Sequence, residues 1–599
     1  MEKGKYLAIF ILTAMFLLML GSIWNSSATM DELAHIGAGF GYITQQDYRL
    51  NPEHPPLLKA LAALSGQIFT HPYFPINTAY WQNDVNGQWA QGAKFLYESG
   101  NDADKVIFWS RFPLILLALF FGWLIFDWTR KRFGSSTALL TLTFYAFSPT
   151  FLANSPLVTT DIGAAFAFFI GIITFIKFLE VPSWRNILIA GIAFGIAQLI
   201  KFSLVLLIPI ILLLLVSWVL SRPNLHWHER FRSGLKILGK TIVIGLIGLM
   251  LVWIVYAYFV WNYPQERQIR DAEFTLTSFG FKPAVNLNLV LVQNKFLRPL
   301  GQYMLGVLMV TQRSAGGNTQ FFLGEVSAAG YRSYFPLLYL LKESLAFHIL
   351  TLIALIFTLK NRPRLSLGQI RLWIENHFVE FSALIFIAFY WFISIKSPLN
   401  IGVRHVLPTF PFIYLLVSKQ ITGWLKFYDF PAPRNWLEWL KNIYQIYIKS
   451  VPKYFVTFIL LLWIIAGTLF SFPNFLSYYN ELAGGPKNGW QVAVDSNYDW
   501  GQDIKRLADF AEKNKIDKIA VDYFGGGNPR YYLGDKFEAW QSAKGPARGW
   551  FAVSATIRQS AFGTPAPGFI RKPEDSYEWL RPYPPVARIG HSIFVYKLP

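Results

Sequence analysis

The run Thr29-Met30-Asp31-Glu32-Leu33-Ala34-His35 sets two carboxylates and an imidazole within about one helical turn. With Thr29 capping a helix over 30–44, the i, i+4 spacing puts Asp31 and His35 on one face with Glu32 beside them. Two adjacent carboxylates at a membrane surface are costly to desolvate and raise each other's pKa, which suits a general base. The same acids also serve simply as complements to a helix N-terminus. Further along, Asn51-Pro52-Glu53-His54-Pro55-Pro56-Leu57-Leu58-Lys59 adds a third carboxylate, a second imidazole and an amine, although its His-Pro-Pro also reads as a plain helix start. Asp161 follows Thr159-Thr160 at the end of a hydrophobic run, where an ionisable group is a functional candidate by default and helix capping the bland alternative. Arg111, Lys201 and the pair Arg404-His405 recur at the ends of apolar runs. Each alone reads as a snorkelling anchor, and together they form a candidate phosphate site.

Other chemistries are poorly supported. The chain has no cysteine, which excludes disulfides, thiolate catalysis and Cys-based metal sites. It has no Walker loop, so ATP is not indicated, and Gly525-Gly526-Gly527 lacks the glycine spacing of a dinucleotide site. His226-Trp227-His228 reads as an interfacial belt rather than a metal site. Spacing assigns no Ser-His-Asp triad.

The elements that must position these residues are membrane helices. Of 599 residues, 53% are hydrophobic and only 15% charged, too apolar for a cytosolic enzyme. The formal net charge of +19 would suggest nucleic acid in a soluble protein, but here the bases flank apolar runs, so no nucleic-acid partner is expected. Runs long enough to span number about eleven: 6–24, 106–127, 137–153, 158–179, 186–200, 203–220, 237–261, 335–358, 380–395, 403–418 and 454–472. The first reads as a retained signal anchor, lacking a small-x-small cleavage site. Basic loops at 130–132, 222–236, 360–371 and 419–453 then all fall on the cytoplasmic side. The 25–104 loop carries eight acids against three bases and faces outward. The 262–334 loop and the tail after Pro473 share that side. The tail regains Gly, Pro, Asp and Lys, with a helix-like stretch at 502–513 and strand-like runs at 518–523 and 592–597, a small α/β domain.

At Asp31-Glu32-x-x-His35, Arg49-Leu50-Asn51-Pro52-Glu53-His54-Pro55-Pro56-Leu57, Thr159-Thr160-Asp161 and Arg404-His405-x-Leu407-Pro408, the sequence resembles membrane glycosyltransferases of the GT-C type, the protein O-mannosyltransferase and aminoarabinose transferase group. The segments Leu476 to Pro486 and Asp495 to Asp503 look like the C-terminal block of a bacterial branch. The resemblance implies a polytopic α-helical membrane protein of about eleven spans, up to thirteen, with a transmembrane transferase domain over 1–472 and an extracytoplasmic α/β domain over 473–599. It implies transfer of a sugar from a polyprenyl-phosphate carrier to a hydroxyl of a protein, lipid or glycan acceptor, at the outer face of a bacterial cytoplasmic membrane. Asp31 would be the base and Asp161 the second acid near the acceptor or a divalent metal, so that no cofactor is fixed and no metal ligand is named. Glu32 joins them as a catalytic candidate. Arg404 would bind phosphate, and Glu53 and Lys59 would lie in the loop that closes over the donor, with His35, His54, Arg111, Lys201 and His405 as further substrate contacts. No sugar-binding module of the protein mannosyltransferases is matched in the tail.

The chemistry agrees with this. An extracytoplasmic site has no nucleotide sugars, so a donor presented by the membrane is the economical solution. Single-step displacement would invert the anomeric centre. A flippase or transporter of lipid-linked sugar would also need cations and intramembrane acids, but no internal inverted repeat is visible. A membrane scaffold with an outer binding domain would give Asp31 no role.

Overall fold

In the computed structural model, residues 2–222, 226–361, 366–425, 433 and 435–599 are described, so parts of the expected basic loops 222–236, 360–371 and 419–453 lie outside the described residues. Seven described helices are long and apolar enough to cross a membrane, and eight if the pair Tyr334–Lys342 and Leu345–Lys360, bent by 108°, counts as one. The remaining three expected runs fold as shorter pieces. The 137–153 run breaks into Ser135–Ala146 and Pro149–Asn154, because Ser148 caps the second helix and Pro149 supplies no amide hydrogen to the first. The 186–200 run is a helix of 15 residues, Trp184–Gln198, and 403–418 divides into a 3-10 stretch, Val403–Thr409, and Phe410–Trp424. An apolar run reports that a segment is kept from water, while capping and proline decide how far it stays helical.

The helix Asp161–Glu180 is the most enclosed span, with 89% of its apolar window buried against 28–44% in the others. Its first residue therefore marks the centre of one end of the bundle. Its last residue, Glu180, pairs with Arg132 at the far end, where Ala103–Phe133 also finishes. Three features converge on the Asp161 end: the helix Met30–Gln45, the stretch Val403–Thr409 and the tail.

The tail holds a mixed five-stranded sheet. Ile519–Asp522 pairs in parallel with Phe537–Ala539 and Gly549–Ser554, and the latter pairs antiparallel with Ile593–Leu598, which also pairs with Ala587–Ile589. The expected helix at 502–513 is Ile504–Lys513, and both expected strands are present. One face of this sheet packs a small cluster around Leu507 and Val595. Its other face shares a single apolar cluster with the membrane helices, including Phe551 and Phe594. The tail is also knitted to the 262–334 loop: Gln320–Phe322 and Glu325–Ser327 form a hairpin to which Thr564–Pro565 adds in parallel.

Candidate functional site

Thr29 caps the helix Met30–Gln45 in a capping box whose third residue is Glu32. The Thr29 amide and hydroxyl both donate to Glu32 Oε2, at 2.9 and 3.0 Å. That commits Glu32 to the inside of the turn. Arg111 meets it there with Nε to Oε1 at 2.8 Å and Nη2 to Oε2 at 2.6 Å, and the Val158 amide donates to Oε1 at 2.9 Å. Arg111 also donates to the carbonyls of Ser26 and Ser27. Burial alone would raise the Glu32 carboxyl, but the Arg111 charge and these bonds hold it below the usual range. The two adjacent acids therefore do not share one environment, and Arg111 stands behind the site rather than among its cations.

Asp31 points the other way, with its side chain 26% exposed. Arg404 Nη1 donates to Asp31 Oδ2 at 3.1 Å and to Asp161 Oδ2 at 3.0 Å, and Lys201 Nζ donates to Asp161 Oδ1 at 2.6 Å. One arginine thus joins two acids that the sequence places on separate elements. Asp161 is the first residue of its helix, where the backbone also favours negative charge. The guanidinium of Arg404 lies 4.1 Å from the centroid of the Trp500 ring.

Asp31, His35, Glu53, His54, Lys201, Arg404 and His405 line one cavity of about 730 Å³. His35 Nδ1 lies 2.8 Å from the Val158 carbonyl, which can only accept; Nδ1 therefore carries the proton and leaves Nε2 as an acceptor. The His54 ring meets it edge-on at 4.9 Å, and burial together with the neighbouring His35 and Lys59 pushes the His54 imidazole well below its ordinary pKa. Glu53 accepts from Asn86 Nδ2 and Gln88 Nε2. Lys59 does not line the cavity. It is buried and donates to Tyr42 Oη, to Asn51 Oδ1 and to the carbonyls of Asn51 and His54, which fixes the Asn51–His54 turn from behind. Two of the residues joined by this site, Asp161 and Lys201, stand beside Arg404 as an acid held between cations, a donor set that does not fit a divalent metal.

The tail lines much of the cavity, and Asp495 and Trp500 stand there within the Asp495 to Asp503 segment that the resemblance marks without giving either residue a role. Its approach depends on small residues. A Cβ on Gly526 would sit 2.2 Å from the Thr29 carbonyl, and one on Gly402 would sit 2.3 Å from Ser496 Oγ, so the Gly525–Gly527 run packs the tail onto the cap of the Asp31 helix. The Met30 amide donates to the Trp500 carbonyl at 2.9 Å, and the Val403 amide to Asn497 Oδ1 at 2.9 Å. Lys342, at the bend of the paired helices, donates to the carbonyls of Leu476, Tyr478 and Asn497. The clue available in the sequence was the density of acids and aromatics from Asp495 to Asp503 after the last apolar run.

Residues 103–253 match the family described as dolichyl-phosphate-mannose-protein mannosyltransferase, and this segment holds Arg111, Asp161 and Lys201. Over that segment the resemblance to transferases that use polyprenyl-phosphate sugars is borne out. No curated protein matches the chain. Among solved structures, the oligosaccharyltransferase AglB from Archaeoglobus fulgidus, in complex with an inhibitory peptide and a dolichol-phosphate, is similar at 12% identity and a TM-score of 0.46, over 93% of this chain and 70% of that one. ArnT from Cupriavidus metallidurans bound to undecaprenyl phosphate is similar at 13% identity and a TM-score of 0.44, over 98% and 97%. The Pmt1-Pmt2 protein O-mannosyltransferase complex of S. cerevisiae bound to the sugar donor is similar at 16% identity and a TM-score of 0.33, over 43% and 34%.

Proposed function

We propose that this chain, which carries a dolichyl-phosphate-mannose-protein mannosyltransferase segment, is a membrane glycosyltransferase that moves a sugar from a polyprenyl-phosphate carrier to an acceptor hydroxyl. The observation that carries this reading is the half-open pair at the cavity: Asp31 accessible, and tethered through Arg404 to the buried Asp161 and Lys201. A base that must take a proton needs a lone pair facing substrate, and Asp31 Oδ1 accepts no hydrogen bond among the described residues.

In the reaction, Asp31 takes the proton of the acceptor hydroxyl as its oxygen attacks the anomeric carbon. The new carbon–oxygen bond forms as the bond from that carbon to the carrier phosphate breaks, and the bonding pair leaves with the polyprenyl phosphate. Direct displacement inverts the anomeric centre. Charge grows on the phosphate as it departs, and Lys201 and Arg404 lie where a partly dehydrated site makes their field effective. Among the described residues only Nη1 of Arg404 is engaged by carboxylates and Nε is buried, which leaves Nη2 for the phosphate. The basic loops, including Arg130–Arg132 at the opposite end of the bundle, orient the site to the outer face of a cytoplasmic membrane.

The test is transfer by the purified protein from synthetic polyprenyl-phosphate hexoses and pentoses. Release of polyprenyl phosphate with a glycosylated product is expected. Vesicle transport of the lipid-linked sugar without product would favour a flippase. Orientation is read by a phosphatase fused after Lys597, active if the tail is exported.

A further inference from the structure

The reaction uses Asp31, yet the cavity holds further carboxylates: Glu53 is taken up by Asn86 and Gln88, Asp575 is exposed, and Asp495 is half-buried with an open oxygen. Asp495 has φ of 55°, a left-handed conformation that non-glycine residues adopt seldom and aspartate more readily than most. Its amide donates to Thr556 Oγ1 at 3.0 Å, and its carbonyl accepts from the Tyr498 and Asp499 amides at 2.8 and 2.9 Å. Its Oδ1 accepts the Ser496 amide at 2.5 Å. Oδ2 receives nothing from the described residues, and no described cation pairs with it.

Asp495 is near enough to Arg404 and Asp31 to feel both charges. Two carboxylates, each with one oxygen free, thus face the same cavity, one from the membrane part and one from the tail. A substrate that satisfied both would bring two hydroxyls to neighbouring positions. A serine or threonine side chain brings one; a sugar ring brings several. The tail's share of the lining suits a ring, with Phe524 and Phe569 as aromatic surfaces and Ser560 as a hydroxyl.

We propose that Asp495 binds the acceptor by receiving the hydroxyl adjacent to the one Asp31 deprotonates, and that the acceptor is accordingly a saccharide. This assignment rests on the glycosyltransferase reading above. Burial, opposed by Arg404 and aided by Asp31, pushes the Asp495 carboxyl up to about 6, so near neutrality it still accepts a hydroxyl proton in a hydrogen bond.

The experiment compares wild type with Asp495→Asn, using a polyprenyl-phosphate sugar donor, methyl glycosides as acceptors, and their monodeoxy analogues lacking one neighbouring hydroxyl. Asparagine tolerates the left-handed backbone and keeps an oxygen for the Ser496 amide, so the fold is retained. Acceptor KM should rise about tenfold or more in Asp495→Asn, the scale of a lost hydrogen bond to a charged group, with donor KM unchanged. The monodeoxy acceptor should show the same loss with wild type and little further loss with the variant, because the two changes remove one interaction. Asp495→Glu, which keeps the charge but moves it, should also raise acceptor KM. Additive losses, an unchanged acceptor KM, a change confined to donor KM, or transfer to a serine peptide and to no glycoside would overturn the proposal while leaving a working transferase. Wild-type protein that turns over no donor of any kind removes the glycosyltransferase reading, and this assignment with it.

Discussion

Asp31 and Glu32 are neighbours in the chain, and each meets an arginine, but the two pairs are built to opposite ends. Glu32 accepts hydrogen bonds from Arg111, from the Val158 amide and from both the amide and hydroxyl of Thr29, and it has no exposed surface. Arg111 is closed off in the same way by the Ser26 and Ser27 carbonyls. Among the described residues Asp31 accepts from Arg404 alone, and it faces a cavity. The chemistry of the two ion pairs is the same, so the difference lies in saturation. A carboxylate whose lone pairs are all occupied holds structure together; one left partly unoccupied can exchange a proton with a substrate.

The largest effect should fall on the open pair. Asp31→Asn keeps the shape and removes the base, so transfer should fall on the order of 100-fold or more, while the protein remains inserted and folded. Turnover close to wild type in purified Asp31→Asn, with Asp161→Asn equally active, would reduce both acids to helix caps. On the closed pair the expected loss is of a different kind. Glu32→Gln leaves the buried Arg111 charge uncompensated and turns an amide donor toward it, which should destabilise the fold by about 3–5 kcal/mol. Yield and thermal melting in detergent report this directly. A Glu32→Gln protein that melts like wild type yet fails to transfer sugar would move Glu32 from the scaffold into the chemistry.

That contrast also marks how far the sequence could be read. The Thr29 cap and the helix after it were legible, because capping is local and its residue types are few. The long helices such as Asp161–Glu180 and Trp227–Phe259 were legible from hydropathy. The splitting of 137–153 at Ser148-Pro149 was less so, since an apolar run looks alike whether or not a cap interrupts it. The division of labour between Asp31 and Glu32 depends on Arg111 and Arg404, which reach them from 79 and 373 residues away, and no spacing rule reaches that far. For the same reason the sequence groups Arg111 with Lys201 and Arg404, and marks the Asp495 to Asp503 segment without giving Asp495 or Trp500 a role in the site. Each of these is decided by tertiary contact alone.

A smaller effect should separate the two roles of Arg404 itself. Lysine keeps the charge but cannot lie flat on Trp500 while one nitrogen holds Asp31 and Asp161 and another is left for phosphate. Arg404→Lys should therefore lose about tenfold in kcat/KM, with kcat carrying more of the loss than donor KM, since phosphate charge grows as the glycosidic bond breaks. Arg404→Lys and Lys201→Gln with unaltered kinetics would sink the phosphate role. The search would then pass to Arg313, which also lines the cavity.

The smallest effect concerns pH, where the two regions should respond with opposite sign. Glu32 is held below the ordinary carboxylate range, so its contribution is present above its unfolded pKa and is lost as pH falls through the lower folded value. Asp499, in the tail segment behind Trp500, is the reverse. Burial pushes its carboxyl up to about 7, against the bond from the Thr556 amide that favours the charged form, while Asp503 nearby raises it further. The folded tail then binds a proton that the unfolded chain releases near pH 4, so stability declines as pH rises between about 4 and 7 and stays at its lower level above that. Asp495 and Asp503 are raised as well and act in the same direction. Asp499→Asn is neutral at every pH and its carbonyl can still accept the Thr556 amide, so it should melt higher than wild type at pH 8, with the gap shrinking as pH falls and nearly closed at about pH 4. Hydrogen exchange of the 495–502 segment, corrected for its intrinsic rate, should show the matching gain in protection of the wild type on acidification. A melting difference that is the same at both pH values would mean that Asp499 does not titrate in this window, and that the tail owes its hold on Trp500 to packing alone.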